Sequence, residues 1–284
     1  PISVVYTQPP QKSQRGQKIN KSPVQAISET LNIDFRCPKT LRDNDEEYNF
    51  IKELNADLAI VVAYGQIIPE NFLNLTKKGF INIHASILPK WRGAAPIQRS
   101  IMKLDTETGI SIMKINKELD SGPISNIYKI KIDHNNNTQE ISEKLSLLAA
   151  EKILDNIDEI FEGKIQFIDQ EHSKATYAKK IDKNEGKINW SDKAINIIGK
   201  INGLFPTPGA FFIFNGERYK ILKAEIGNGI GKAGEVLTDK LEIACSNNQS
   251  IKILEIQRQG KKVQKIGEFL LGSQIKKGAV ISNA

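Results

Sequence analysis

Between Ile81 and Gln98 the chain reads Ile-Asn-Ile-His-Ala-Ser-Ile-Leu-Pro-Lys-Trp-Arg-Gly-Ala-Ala-Pro-Ile-Gln, and its first six residues alternate apolar with polar. In a strand that period puts Asn82, His84 and Ser86 on one face and Ile81, Ile83 and Ala85 on the other. An amide beside an imidazole can donate hydrogen bonds to an oxygen that gains negative charge, and the imidazole can carry a proton. A core histidine hydrogen-bonded to Asn82 and serving only the fold would explain the pair alone. It explains less well three polar side chains at a strand's end with a Pro-Lys-Trp-Arg-Gly loop behind them. Open α/β sheets bind ligands beyond the C-terminal ends of their strands, so a site is expected here.

The elements that must carry these residues alternate strand and helix patterns, the mark of βαβ units around a parallel sheet. Strands are expected at 2–6, 33–37, 57–63, 80–86, 109–115 and 124–132, and helices at 23–31, 45–54 and 95–104. Ser22-Pro23 supplies a helix cap with proline at the first helical position. Asp57–Ala63 is a continuous apolar run, as expected of a strand buried on both faces. Asn137 with Glu140 forms a capping box that opens a helix to Glu162, with apolar residues at 141, 145, 148, 153, 157 and 160 that should cover one face of the sheet.

After about residue 163 the pattern changes. Tyr177–Trp190 is polar and without sustained period, a linker; a helix follows at 191–203, then the turn-rich Phe205–Gly209. Short strands are expected at 210–214, 218–225, 233–237, 241–245, 251–257 and 278–282, a spacing that suggests a small β-barrel.

A chain of 284 residues accommodates two domains, and 39% hydrophobic with 26% charged residues is ordinary for a globular protein. No apolar run reaches the ~18–20 residues of a membrane-spanning helix. Cys37 and Cys245 lie far apart and the three histidines are dispersed, so neither a disulfide framework nor a metal site is expected, and a reducing cytoplasm is the natural setting. The net charge is +7, and 14 basic against 8 acidic residues from Ser191 to Ala284 place most of that excess at the C-terminal end. A polyanionic partner is one reading of such an excess.

The run Asn82-x-His84, then Ser86-Ile87-Leu88-Pro89, then Arg92-Gly93, resembles the hallmark of the folate-dependent formyltransferase family. Glu118-Leu119-Asp120-Ser121-Gly122-Pro123 is similar to that family's Leu-Asp-x-Gly turn. The resemblance implies that Asn82, His84 and Asp120 are catalytic and that 10-formyltetrahydrofolate donates a formyl group to a primary amine. Asn82 and a protonated His84 would donate to the formyl oxygen. Asp120 would orient the imidazole and accept the amine's proton. Ser86, Ile87, Leu88 and Pro89 would contact the folate. Val61–Pro69 also resembles the family, whose corresponding turn lines the pterin pocket, which brings in Gln66, Ile67 and Ile68. No metal is required.

The family's acceptors include a nucleotide amine, amino sugars and methionyl-tRNA. Trp91–Gln98 is similar to the branch that acts on methionyl-tRNA, and Thr7–Pro23 resembles that branch's inserted basic loop. Lys12, Arg15, Lys18 and Lys21 would then meet tRNA phosphates. The C-terminal basic excess fits an oligonucleotide-binding barrel, with Lys261, Lys262 and Lys265 as further phosphate contacts. The implied fold is α/β: a Rossmann-like parallel-sheet catalytic domain over 1–173, a linker over 174–190, and a C-terminal OB-like β-barrel over 191–284. A cytoplasmic monomer acting on initiator methionyl-tRNA is expected. The alternatives are an amino-sugar or other small-amine acceptor, or a non-catalytic RNA-binding relative. The strand, Gly-Thr-Pro turn and helix that open the family pattern have no counterpart before Ile2. The expectation is an incomplete sequence that folds poorly, because the sheet's centre would be left with bare edges.

Overall fold

The structure is a computed structural model that describes residues 1–13 and 18–283. In chain order it contains β1 (Val5–Tyr6), β2 (Gln11–Ser13), β3 (Lys18–Asn20), α1 (Pro23–Thr30), β4 (Phe35–Arg36), α2 (Asp45–Leu54), β5 (Ala59–Val61), β6 (Phe80–His84) and β7 (Arg92–Gly93). It continues with α3 (Pro96–Met102), β8 (Glu107–Lys114), β9 (Ile124–Lys131), α4 (Thr138–Glu162), β10 (Tyr177–Ala178), α5 (Ala194–Gly203) and β11 (Ala210–Phe214). Last come β12 (Glu217–Gly227), β13 (Glu242–Ala244), β14 (Ser250–Arg258), β15 (Gln264–Lys265) and α6 (Ile266–Leu270). Contacts divide the chain into two units, one of Pro1–Ala94, Ile110–Tyr128 and Ala149–Thr176, the other of Ala95–Gly109, Lys129–Leu148 and Tyr177–Ala284.

In the first unit the helix starts follow their capping chemistry. Ser22 Oγ accepts the Gln25 N–H at 2.9 Å ahead of Pro23, and Asn44 Oδ1 accepts the Glu47 N–H at 3.2 Å. Asp45, Glu46 and Glu47 sit in the first turn of α2, against the positive end of its dipole. β1 and β4 pair in parallel, Val5 with Phe35 and Tyr6 with Arg36. A separate sheet runs β5-β6-β8-β9; β6 is parallel to β5 and antiparallel to β8. Ile81 of β6, Ile112 of β8 and Ile160 of α4 form a buried core, with Tyr128, Ile153 and Phe167 against it. The long helix thus covers the face that carries the isoleucines, and the polar alternate residues of β6 are left for the other face.

Asp57–Ala63 corrects one expectation. Only Ala59–Val61 is strand, and Ile60 and Val62 are 41% and 55% exposed. Among the described residues β5 is paired along one edge only, at the margin of its sheet, where its apolar run stays partly open to solvent.

In the second unit the antiparallel order is β11-β12-β14-β13, with β15 on β14. Register shifts around Lys223 bulge β12, and bulges bend and twist a sheet, so this one curls. The core is an aromatic column: Trp190, Phe212, Tyr219 and Phe269 have successive ring centroids 5.9, 5.3 and 5.8 Å apart. Ile197 and Ile201 of α5 and Ile251, Ile253 and Ile256 of β14 complete it. The strands expected at 233–237 and 278–282 are instead single bridges, Glu235 with Val280 and Val236 with Ile243. Left-handed backbone at Gly234 (φ +85°) and Gly278 (φ +83°) interrupts both extended runs.

Candidate active site

β6 ends at His84, whose ring is buried against the loop that follows. Its Nε2 lies 2.9 Å from the Trp91 carbonyl oxygen, and its Nδ1 lies 3.7 Å from Asp120 Oδ2. A carbonyl oxygen only accepts, so the Nε2 contact takes a ring N–H, while the Nδ1 contact is longer than a hydrogen bond. Asn82, half-buried two residues earlier, neither gives nor takes a side-chain hydrogen bond among the described residues. His84 is therefore not a fold histidine tied to Asn82.

The loop beyond β6 is held by hydroxyls. Ser86, fully buried, donates from Oγ to Lys90 O at 2.6 Å; Ser111 Oγ of β8 donates to Ser86 O at 2.7 Å and accepts the Leu88 N–H at 3.1 Å. The Ser86 side chain thus shapes the turn. Leu88 is buried, while Ile87 and Pro89 are half-buried.

Asp120 has left-handed backbone (φ +46°), and its Oδ2 accepts the Gly93 N–H at 2.8 Å. Two residues on, a Cβ at Gly122 would run into the Lys114 carbonyl, so this turn closes only on a glycine. Gln170 Nε2 donates to the Asp120 and Gly122 carbonyls at 2.9 and 2.8 Å. Gln170 Oε1 accepts from Arg92 Nε and Nη2 at 3.0 and 2.7 Å, and Arg92 Nη2 is 3.2 Å from His172 Nδ1. Sequence reasoning missed Gln170, His172, Ser111 and the role of Arg92. Arg92 lay inside the recognised loop; Gln170 stands in a stretch without period and gave no signal.

In the Tyr64–Ile68 turn, Gln66 Nε2 donates to Pro38 O at 2.9 Å, while Gln66 Oε1 and Tyr64 OH are buried without a hydrogen-bond partner among the described residues. Burial, with the nearby Glu47 carboxylate, pushes the Tyr64 hydroxyl up to about 12. Ile67 is exposed and Ile68 packs on the Leu41–Ile51–Phe72 core.

Arg15 lies outside the described residues. Lys12 and Lys18 pair with Ile19 and Ser13 in the β2–β3 hairpin. Lys21 Nζ is 2.7 Å from Glu29 Oε2. Lys261, Lys262 and Lys265 are all exposed in the second unit. Among the described residues no group of three or more His, Cys, Asp or Glu could hold a metal ion, and no helix is long and apolar enough to cross a membrane.

Residues 1–157 match the family model described as formyl transferase, and residues 180–274 match the one described as formyl transferase, C-terminal domain. The chain is 66% identical over 282 residues to the methionyl-tRNA formyltransferase of Pelagibacter ubique, covering 99% of this chain and 91% of that protein. It is 40% identical over 280 residues to the methionyl-tRNA formyltransferase of a Jannaschia species, again 99% of this chain and 91% of the relative. Among solved structures the fold is similar to HypX from Aquifex aeolicus in complex with tetrahydrofolic acid, with TM-score 0.66 and 16% identity over 97% of this chain and 48% of that one. It is also similar to WlaRD, a sugar 3N-formyl transferase, with TM-score 0.65 and 19% identity over 92% and 99%.

Proposed function

The chain belongs to the formyl transferase family, and we propose that it transfers a formyl group from 10-formyltetrahydrofolate to the α-amino group of initiator methionyl-tRNA, in the cytoplasm alongside translation. The two methionyl-tRNA formyltransferases, aligned over 99% of this chain, support that acceptor above an amino sugar. Residues 1–173 carry the chemistry, 174–190 form the linker, and 191–284 bind tRNA.

The observation that carries the catalytic reading is the His84–Asp120 pair, 3.7 Å apart beside the unbonded amide of Asn82. The Tyr64–Ile68 turn is assigned to the pterin end of the folate on the likeness of Val61–Pro69 to the family's pterin-lining turn. When bound, the folate supplies an activated formyl carbon. Asn82 then offers its amide N–H to the formyl oxygen as charge develops there. His84 offers the Nε2–H that Trp91's carbonyl takes in this structure, and turnover exchanges one acceptor for the other. Asp120 holds the imidazole and takes the proton of the attacking amine, directly or through water; the formyl carbon's bond to N10 then breaks, and N10 takes up a proton as tetrahydrofolate leaves. Ser86–Pro89 and Gln66–Ile68 shape the folate side, with the Ser86 hydroxyl acting through the turn.

His84→Ala and Asp120→Ala should each lower kcat for methionyl-tRNA by ~10²-fold or more, with the melting transition retained. An amino-sugar nucleotide assayed beside the tRNA should remain unformylated by the unaltered chain. Near-normal turnover by either variant would discard the assigned roles, and efficient sugar formylation would discard the acceptor.

A further inference from the structure

Both groups that touch the ring nitrogens of His84 sit on left-handed backbone, Trp91 at φ +64° and Asp120 at φ +46°. Side chains that are not glycine keep such conformations only where neighbours impose them. One segment, Gln170–Thr176, imposes both. Thr176 Oγ1 accepts the Trp91 N–H at 2.9 Å, Thr176 O accepts the Arg92 N–H at 2.8 Å, and the Thr176 N–H donates to Pro89 O at 3.2 Å. Gln170 does the corresponding work on the Asp120 turn.

The Gln170 amide is fully committed. Both Nε2 hydrogens go to carbonyls of the turn, and Oε1 takes two donors from one guanidinium. Its orientation is fixed by chemistry, since the flipped amide would set N–H against guanidinium N–H and oxygen against carbonyl oxygen. Arg92 and Gln170 are both buried. Arg92 also precedes Gly93, whose N–H holds the Asp120 carboxylate. The Arg92-Gly93 dipeptide therefore reaches Asp120 twice, through its carboxylate directly and through its backbone by way of Gln170. Neither Arg92 nor Gln170 is placed to touch a substrate through these contacts.

We propose that Gln170, oriented by Arg92, is a positioning residue for formyl transfer: it fixes the Asp120 turn so that the carboxylate stays set against the His84 ring. This rests on the reading of His84 and Asp120 as the proton-handling pair. At 3.7 Å the pair stands just outside hydrogen-bond distance, where displacement of a few tenths of an ångström decides whether the contact is made.

The test is steady-state kinetics of the full chain with Gln170→Leu, Gln170→Glu, Asp120→Ala and the Gln170→Leu/Asp120→Ala double variant. Gln170→Leu removes every hydrogen bond at similar bulk; Gln170→Glu keeps acceptors for Arg92 but turns carboxylate oxygen toward the two carbonyls. Each should lower kcat by about 10²-fold with KM for tRNA and folate little changed. In the Asp120→Ala background Gln170→Leu should cost nothing further, because the group it positions is gone. A residue that merely supports folding would subtract the same factor in both backgrounds, and that result overturns the proposal. If Gln170→Leu does not fold, the isosteric Gln170→Glu carries the same expectation. Loss of turnover in Asp120→Ala with full kcat in the Gln170 variants sinks this inference alone. Full turnover in Asp120→Ala sinks the catalytic reading and the inference with it.

Discussion

Trp91 and Asp120 each hold a backbone conformation that stores roughly 1–3 kcal/mol, and both meet at one imidazole. The same style of side-chain-to-backbone restraint recurs at Glu242. Its carboxylate accepts from Ser250 Oγ at 2.6 Å and from the Gly229 N–H at 2.9 Å, and the Ser250 hydrogen bond leads the causes that hold it below the usual carboxylate range. A depressed native value means that stability is fully present above the unfolded-chain value of about 4.3 and is lost as pH falls through the native one. Thermal melts of the unaltered chain and Glu242→Gln should therefore differ most near neutrality and converge on acidification; a difference that stays constant with pH would refute this. At this scale the sequence spoke clearly where chemistry is local. Alternation placed Asn82, His84 and Ser86 together, and the Leu119–Gly122 motif singled out Asp120. It was silent on Gln170 because that residue works through carbonyls 50 and 48 positions away, and a backbone carbonyl has no sequence signature.

Elements were legible when their ends carry their own chemistry. α2 begins and ends where its pattern predicts, behind Asn44, and α4 opens on the expected capping box: the Glu140 N–H donates to Asn137 Oδ1 at 3.0 Å and the Asn137 N–H to Glu140 Oε2 at 3.1 Å. Asn137→Ala should destabilise the chain by about 1 kcal/mol in urea titration, while Glu140→Gln, which still caps, should lose less. Equal losses would mean that charge rather than capping geometry matters there. Elements defined by long-range pairing were read less well. Apolarity marked 57–63 as a buried strand, yet burial depends on where the strand stands in its sheet, and among the described residues β5 stands at the margin. The runs at 233–237 and 278–282 carry strand-like residues, but a single left-handed glycine in each reduces them to bridges.

At the scale of the molecule the governing quantity is charge. The chain carries +7, most of it after residue 190, and Lys261, Lys262 and Lys265 are exposed on and beside β15. Lys21 differs: its ammonium is paired with Glu29 at 2.7 Å, and a surface pair of this kind contributes only about 0–1 kcal/mol. Contact with an RNA backbone releases counterions, so the logarithm of the binding constant should fall linearly with the logarithm of salt, by roughly 0.7–0.9 for each phosphate neutralised. Titrating methionyl-tRNA between about 50 and 200 mM salt should show that decline, and replacing Lys261, Lys262 and Lys265 together by alanine should reduce the slope by about 2–3. Lys21→Ala should change it less, because a cation that already has a carboxylate partner releases fewer counterions on exchanging it for phosphate. Arg15→Ala should weaken tRNA binding without altering KM for the folate. A slope unchanged by the triple replacement would make those lysines an ordinary solvated face, and affinity indifferent to salt would point to a small amine as the acceptor, since only a polyanion couples binding to counterion release in this way.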